Sequence, residues 1–164
     1  MSQKENIDLS FIKIEYFKDK LQKYLQYILK IELNVKGIML FGSLATEKAC
    51  YNKNHVSDID LIIICDDLPE DLWNRRQLIL NLTKTVNSGI QALWWTSKEI
   101  KNHVTSKYYL ILDAFDEGKI IYDPENLLLE LKTRLFEELD LKGVIKTDLY
   151  WQWPIKKFGD KIEY

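Results

Sequence analysis

Cysteine is scarce, with Cys50 and Cys65 the only two in 164 residues, in no CxxC spacing and with no histidine at zinc-ligand distance along the chain. That excludes a disulfide scaffold and a structural zinc site, and it points to a reducing, cytoplasmic setting. Proline (3) and glycine (6) are equally sparse, and no Gly/Pro/Ser-rich stretch offers a linker, so one domain is expected over residues 1–164. No apolar run approaches the roughly 20 residues that a spanning helix needs; runs such as Leu61–Cys65 stop far short. The first residues carry acids with no apolar segment behind them, unlike a secretory leader. Neither sign of charge dominates, since 23 Lys+Arg against 25 Asp+Glu leave a net charge of -2. A generally basic nucleic-acid coat is therefore excluded, although a local groove is not.

What is present is a hydrophobic share of 46%, enough to fill one core, and an alternation of helical and strand patterns. Phe17, Leu21, Tyr24, Leu25, Ile28 and Leu29 recur at three and four, which predicts an N-terminal amphipathic helix over about 16–32. Val35–Phe41 is a short, partly β-branched apolar run that stops at Gly42-Ser43, a strand followed by a tight turn. A short helix from Leu44 to Lys48 is expected next. Asp58–Cys65 is the strongest strand signal. A helix over 70–87, with Leu72, Ile79, Leu82 and Val86 on one face, leads to a third strand, Ile90–Thr96. Helices over 97–105 and 107–115, a short strand over 119–122 and a helix over 127–139 complete a core of about 35–139. A hairpin-like tail over about 149–164 is expected to pair Tyr150–Trp153 with Lys161–Tyr164.

The chemistry concentrates in Gly42-Ser43 at the end of one strand and Asp58-Ile59-Asp60 at the start of the next. Positions i and i+2 of a strand share a face, so Asp58 and Asp60 project side by side while Ile59 turns the other way. Two neighbouring carboxylates repel unless a hard divalent cation with oxygen ligands neutralises them, and magnesium (or manganese) with a bound phosphate suits that pair. A strand that ends in Gly-Ser and opens a helix directs unpaired N–H groups at an anion. Ser43 would hold a terminal phosphate while the cation on the carboxylates bridges its neighbours, a layout for in-line attack on a nucleoside triphosphate.

Order separates this from other Asp-x-Asp chemistries. Haloacid-dehalogenase-type phosphatases and metal-dependent glycosyltransferases carry the acids after the apolar strand, whereas here Leu61-Ile-Ile-Ile follows them. An EF-hand loop counted from Asp58 would need Gly where Ile63 stands and Glu where Pro69 stands.

The run Ile38-Met-Leu-Phe-Gly42-Ser43, a spacer, then Ser57-Asp58-Ile-Asp60-Leu-Ile-Ile resembles the polymerase-β-like nucleotidyltransferase superfamily, in its small prokaryotic form. Leu110 to Pro124, a helix leading to a Gly turn and a short strand, resembles the segment that follows the core there. The resemblance spans about Val35–Leu139, with the specific motif in 38–64. It implies an α+β fold with a small mixed sheet, helices packed mainly on one face and the cleft on the other, Gly42-Ser43 facing Asp58/Asp60. It also implies that Gly42 and Ser43 bind the triphosphate, ATP among the substrates, and that Asp58 and Asp60 are catalytic and hold the metal. Small stand-alone relatives resemble antitoxins that nucleotidylate a helical toxin.

Three departures accompany the resemblance. The Leu44–Ser57 spacer is long. Leu44-Ala-Thr-Glu47 replaces the basic residues that often follow Gly-Ser, with Lys48 a partial substitute. Active relatives add a third carboxylate from the neighbouring strand, and Ile90–Thr96 has no acid, Leu93 being the residue expected at that place; Glu47, Asp113 and Glu117 are the acids that folding could bring near. Two functions therefore stand side by side. One is transfer of a nucleoside monophosphate from a triphosphate to a protein hydroxyl, a small molecule such as an aminoglycoside, or an RNA end. The other is a nucleotide-binding or antitoxin-like partner-binding module that has lost turnover. Among the remaining residues, His55, His103, Lys98, Lys101 and Lys107 read as exposed polar groups. One ring of Trp94-Trp95 reads as core, Trp151 and Trp153 as a partner surface or a lid, and the cysteines as structural.

Overall fold

The computed structural model describes residues 7–155. Its centre is a four-stranded sheet of β1 (Val35–Phe41), β2 (Ile59–Cys65), β3 (Ile90–Trp95) and β4 (Lys119–Tyr122), in the order β3-β2-β1-β4. β1 is antiparallel to β2 and to β4, and β2 is parallel to β3. The mixture follows from the connections. A turn and short helix return β1 against β2, while β2 and β3, running the same way, need the crossover supplied by α3 (Leu72–Thr83).

The two central strands are apolar on both faces because both faces are covered. Ile38, Leu40, Ile59, Leu61 and Ile63 pack against α1 (Glu15–Ile28), whose Phe17, Leu21, Tyr24, Leu25 and Ile28 are buried. Met39, Ile62 and Ile64 pack on the opposite face against α4 (Ser97–Thr105), α5 (Tyr109–Glu117) and α6 (Leu127–Leu141). Three helices thus share one face. Each fully buried aliphatic side chain contributes about 1.5–3 kcal/mol, so the five-residue stripe of α1 is sufficient to fix that helix.

Several boundaries differ from the sequence pattern. α1 ends at Ile28 rather than near Glu32, because Lys30 and Ile31 both donate to the Tyr27 carbonyl and close the chain into a turn. The turn after β1 is already helical from Gly42, giving α2 (Gly42–Ala45). α3 stops at Thr83, and Leu72, expected on its inner face, is 72% exposed; the residues α3 buries are Arg75 and Thr83. α5 begins at Tyr109 because Lys107 takes positive φ and breaks the helical run. Lys107 is itself buried, not solvated: its ammonium donates to Glu138 at 2.6 Å and to the Val104 and Thr105 carbonyls. In the tail, β6 (Trp151–Gln152) pairs with β5 (Ile145–Lys146); the strand expected from Lys161 lies outside the described residues. No helix among the described residues is long and apolar enough to cross a membrane.

Candidate active site

The β1/β2 register sets Phe41 opposite Asp60, so the chain leaves β1 directly beside the second acid. Gly42 takes φ +71°, and a Cβ there would overlap the Asp60 carboxylate. This is a close approach that glycine alone allows, and it places the start of α2 against Asp60. The Thr46 hydroxyl donates to the Gly42 and Ser43 carbonyls, fixing the far end of α2, while the N–H groups at its start point out of the helix. Gly42 is exposed and Ser43 half-buried. The structure therefore brings all four candidate residues to one end of the sheet.

The spacer that follows is a small hairpin. Tyr51 bridges Val56, Cys50 and Ser57 exchange hydrogen bonds, and the Asn52 side chain accepts from the Asn54 and His55 amides. His55 is exposed at its tip.

Asp58 precedes β2 and Asp60 lies within it. Burial, with the Asp58 charge beside it, holds the Asp60 carboxyl above the usual aspartate range. The pair is thus uncompensated by any protein cation in ion-pair contact among the described residues. That suits a divalent ion: magnesium is commonly held by one or two carboxylates, with phosphate oxygens and water completing its shell. No group of three His, Cys, Asp or Glu among the described residues could hold a metal without such help.

By alternation Asp60 lies on the face of Met39, Ile62 and Ile64, the face that α4, α5 and α6 cover. Asp60 therefore lies on the face that these three helices cover, not on the opposite face where the cleft is expected from the sequence. β3 brings a second correction. Its register aligns Gln91, not Leu93, with Asp60, and Gln91 Nε2 donates to Asp58 Oδ2 at 2.6 Å. Leu93 aligns with Ile62, one step further along. Gln91 is the residue that sequence reasoning missed; the parallel β2/β3 alignment is the signal that finds it. Of the other acids, Glu47 is ion-paired to Lys13, and Asp113 and Glu117 to Lys146.

A groove of about 530 Å³ lies elsewhere, between α3 and β3, lined by Leu72, Arg76, Ile79, Leu93, Trp95 and the Arg75–Glu99 pair. Trp94 is buried in the core while Trp95 faces this groove beside His103, ring centroids 4.5 Å apart. None of Gly42, Ser43, Asp58 and Asp60 lines it. Cys65 is buried, which pushes its thiol up, and Cys50 is exposed.

A mixed sheet carrying Gly-Ser at one strand end against a carboxylate pair at the next defines a nucleotidyltransferase domain. Residues 19–127 match the family described as Polymerase beta, Nucleotidyltransferase, and the chain belongs to that family. No curated protein matches it in sequence. Among solved structures, it is similar to a toxin–antitoxin MntA–HepT at 14% identity, covering 76% of this chain and 87% of that one, TM-score 0.46. A toxin–antitoxin with AMP-PNP is 18% identical, with 77% and 92% covered and a TM-score of 0.44. A tri-AMPylated Shewanella oneidensis HEPN toxin in complex with MNT antitoxin gives 16%, 77%, 92% and 0.44.

Proposed function

We propose that the chain is a metal-dependent nucleotidyltransferase that moves a nucleoside monophosphate from a triphosphate, ATP first among them, to an acceptor hydroxyl. The observation that carries this reading is the apposition of Gly42 with Asp60, which sets an anion-holding turn against an uncompensated carboxylate pair. Gly42 and Ser43 hold the phosphates that leave as pyrophosphate, and Asp58 and Asp60 are the metal ligands. Magnesium or manganese, when bound there, neutralises phosphate charge and aligns donor with acceptor. The acceptor oxygen bonds the α-phosphorus as the α–β bridging bond breaks, pyrophosphate keeps the electron pair, and the hydroxyl proton leaves to water. Acceptors to try are a helical toxin-like protein, a small hydroxylated molecule and an RNA end.

A second reading has its own support. Gln91, an amide where a third acid would stand, donates to Asp58 and offers no base. Under that reading the domain binds nucleotide and serves as a partner-binding, antitoxin-like subunit without turnover.

The test is calorimetric titration of each nucleoside triphosphate with and without magnesium, with the double variant Asp58→Asn/Asp60→Asn as control, followed by transfer of α-labelled phosphate to candidate acceptors. Magnesium-dependent binding with label transfer supports the enzyme, and binding without transfer to any acceptor supports the second reading. Equal behaviour of wild type and the double variant removes both.

A further inference from the structure

The strand order puts the carboxylate pair between two flanks. Gly42-Ser43 stands on the β1 side. On the β3 side stands Gly89, with Lys20 of α1 above it: a Cβ built on Gly89 would lie 2.9 Å from Lys20 Nζ and 4.0 Å from Asp58 Oδ1. The ammonium and the carboxylate are therefore no further apart than those two distances together. Lys20 is half-buried, and no carboxylate among the described residues is in ion-pair contact with it.

Its position is nevertheless set. Nζ donates to the Tyr16 hydroxyl at 2.7 Å and lies 4.7 Å from the Tyr16 ring centroid. Tyr16 is held in turn by stacking on Tyr51 at 4.5 Å and by an edge contact with buried Phe17 at 5.3 Å. Ordering a lysine side chain costs about 2 kcal/mol of rotamer entropy. A positioned cation with no ion-pair partner among the described residues, on the Asp58 flank of the carboxylate pair, is a place for an anion.

In-line displacement fixes which anion. The attacking oxygen and the departing pyrophosphate lie on opposite sides of the α-phosphorus. With the leaving phosphates at Gly42-Ser43, the acceptor arrives from the β3 side, where Lys20 stands. We propose that Lys20, over Gly89 and braced by Tyr16, forms an acceptor subsite that binds a phosphate group carried by a small hydroxylated acceptor. The proposal rests on the transfer reading above. A small phosphomonoester is favoured over a polynucleotide because the chain as a whole carries a net charge of -2.

The experiment saturates the protein with magnesium and α,β-methylene-ATP, which occupies the Gly42-Ser43 side. It then titrates glycerol 3-phosphate, glycerol and a short oligoribonucleotide into wild type, Lys20→Met and Lys20→Arg by calorimetry. Glycerol 3-phosphate is expected to bind wild type where glycerol does not. Lys20→Met should weaken that binding about tenfold or more, the loss of one charged hydrogen bond, and Lys20→Arg should restore most of it. Affinity for the ATP analogue should be unchanged in both variants, which also reports that they are folded. Equal binding of glycerol 3-phosphate to wild type and Lys20→Met, no binding to wild type, binding of the oligoribonucleotide alone, or loss of analogue affinity in Lys20→Met would each overturn the proposal. Failure of wild type to bind the analogue at all is a different result, and it defeats the transfer reading together with the subsite that rests on it.

Discussion

A methyl group at position 42 would meet the Asp60 carboxylate and would occupy backbone at φ +71°, where side chains are strained. Gly42→Ala is therefore expected to abolish magnesium-dependent nucleotide binding while circular dichroism shows the sheet retained. Asp60→Asn works the other way on stability, since it removes half of a carboxylate pair whose members repel and one of which is partly buried. The metal-free protein should melt about 2–4 °C higher, the shift that on the order of 1 kcal/mol gives in a domain of this size. The magnesium–triphosphate response should vanish in the same variant. Gln91 defines a third case. Gln91→Glu places an acid opposite Asp60 and beside Asp58, and a positioned base contributes about 100-fold. Radiolabel transfer should rise by about that factor if the wild type is limited by a missing base, and an unchanged rate would show that it is not. At this scale the motif residues were legible because strand alternation and turn chemistry are local. Gln91 was not, because its place depends on how β3 slides along β2, which only the folded register decides.

Among the elements, the central strands were legible, β1 at both ends and β2 at all but Asp58, which precedes it, since burial on both faces demands unbroken apolar runs. Helix ends were legible only in part, as at α4, and α3 shows why. It buries a charged residue: Arg75 is 7% exposed, its Nη1 meets both oxygens of Glu99 at 2.9 Å, and its Nε donates to the Pro69 carbonyl. Glu99 is at the same time the third residue of α4 and completes a capping box with Thr96. One carboxylate thus ties α3 to the start of α4, a long-range pairing that periodicity cannot reveal. It leaves Leu72, Leu80 and Leu93 on the surface of the adjoining groove. Arg75→Ala strands Glu99 and empties a buried position, so urea denaturation should show a loss of about 3 kcal/mol, the lower end for breaking such a pair when one partner keeps some solvent. A loss under about 1 kcal/mol would mean that α3 is held by its apolar contacts alone.

Across the whole molecule, the same kind of contact makes stability depend on pH with a definite sign. Burial works against the Glu99 carboxylate, but the Thr96 amide and the Arg75 guanidinium outweigh it and hold it below the usual glutamate range. Lys107 and then Lys142 do the same for Glu138, which fastens α6 to the turn before α5. A carboxylate whose folded value is depressed binds its proton more tightly in the unfolded chain. Its contribution is therefore complete above the ordinary value of 4.5 and drains away as pH falls below it. Melting temperature should accordingly hold level from neutral pH down to about 5 and then fall. The fall should be shallower in Glu138→Gln, which has already lost that contribution at neutral pH. Glu99 and Glu138 link helices that pack on the sheet rather than the sheet itself, while β1 and β2 are held by apolar side chains that do not titrate. Hydrogen exchange at pH 4 should therefore show α3 and the α5–α6 junction opening before the amides of β1 and β2. Simultaneous exchange of all of them would mean that the helices and the sheet form one cooperative unit.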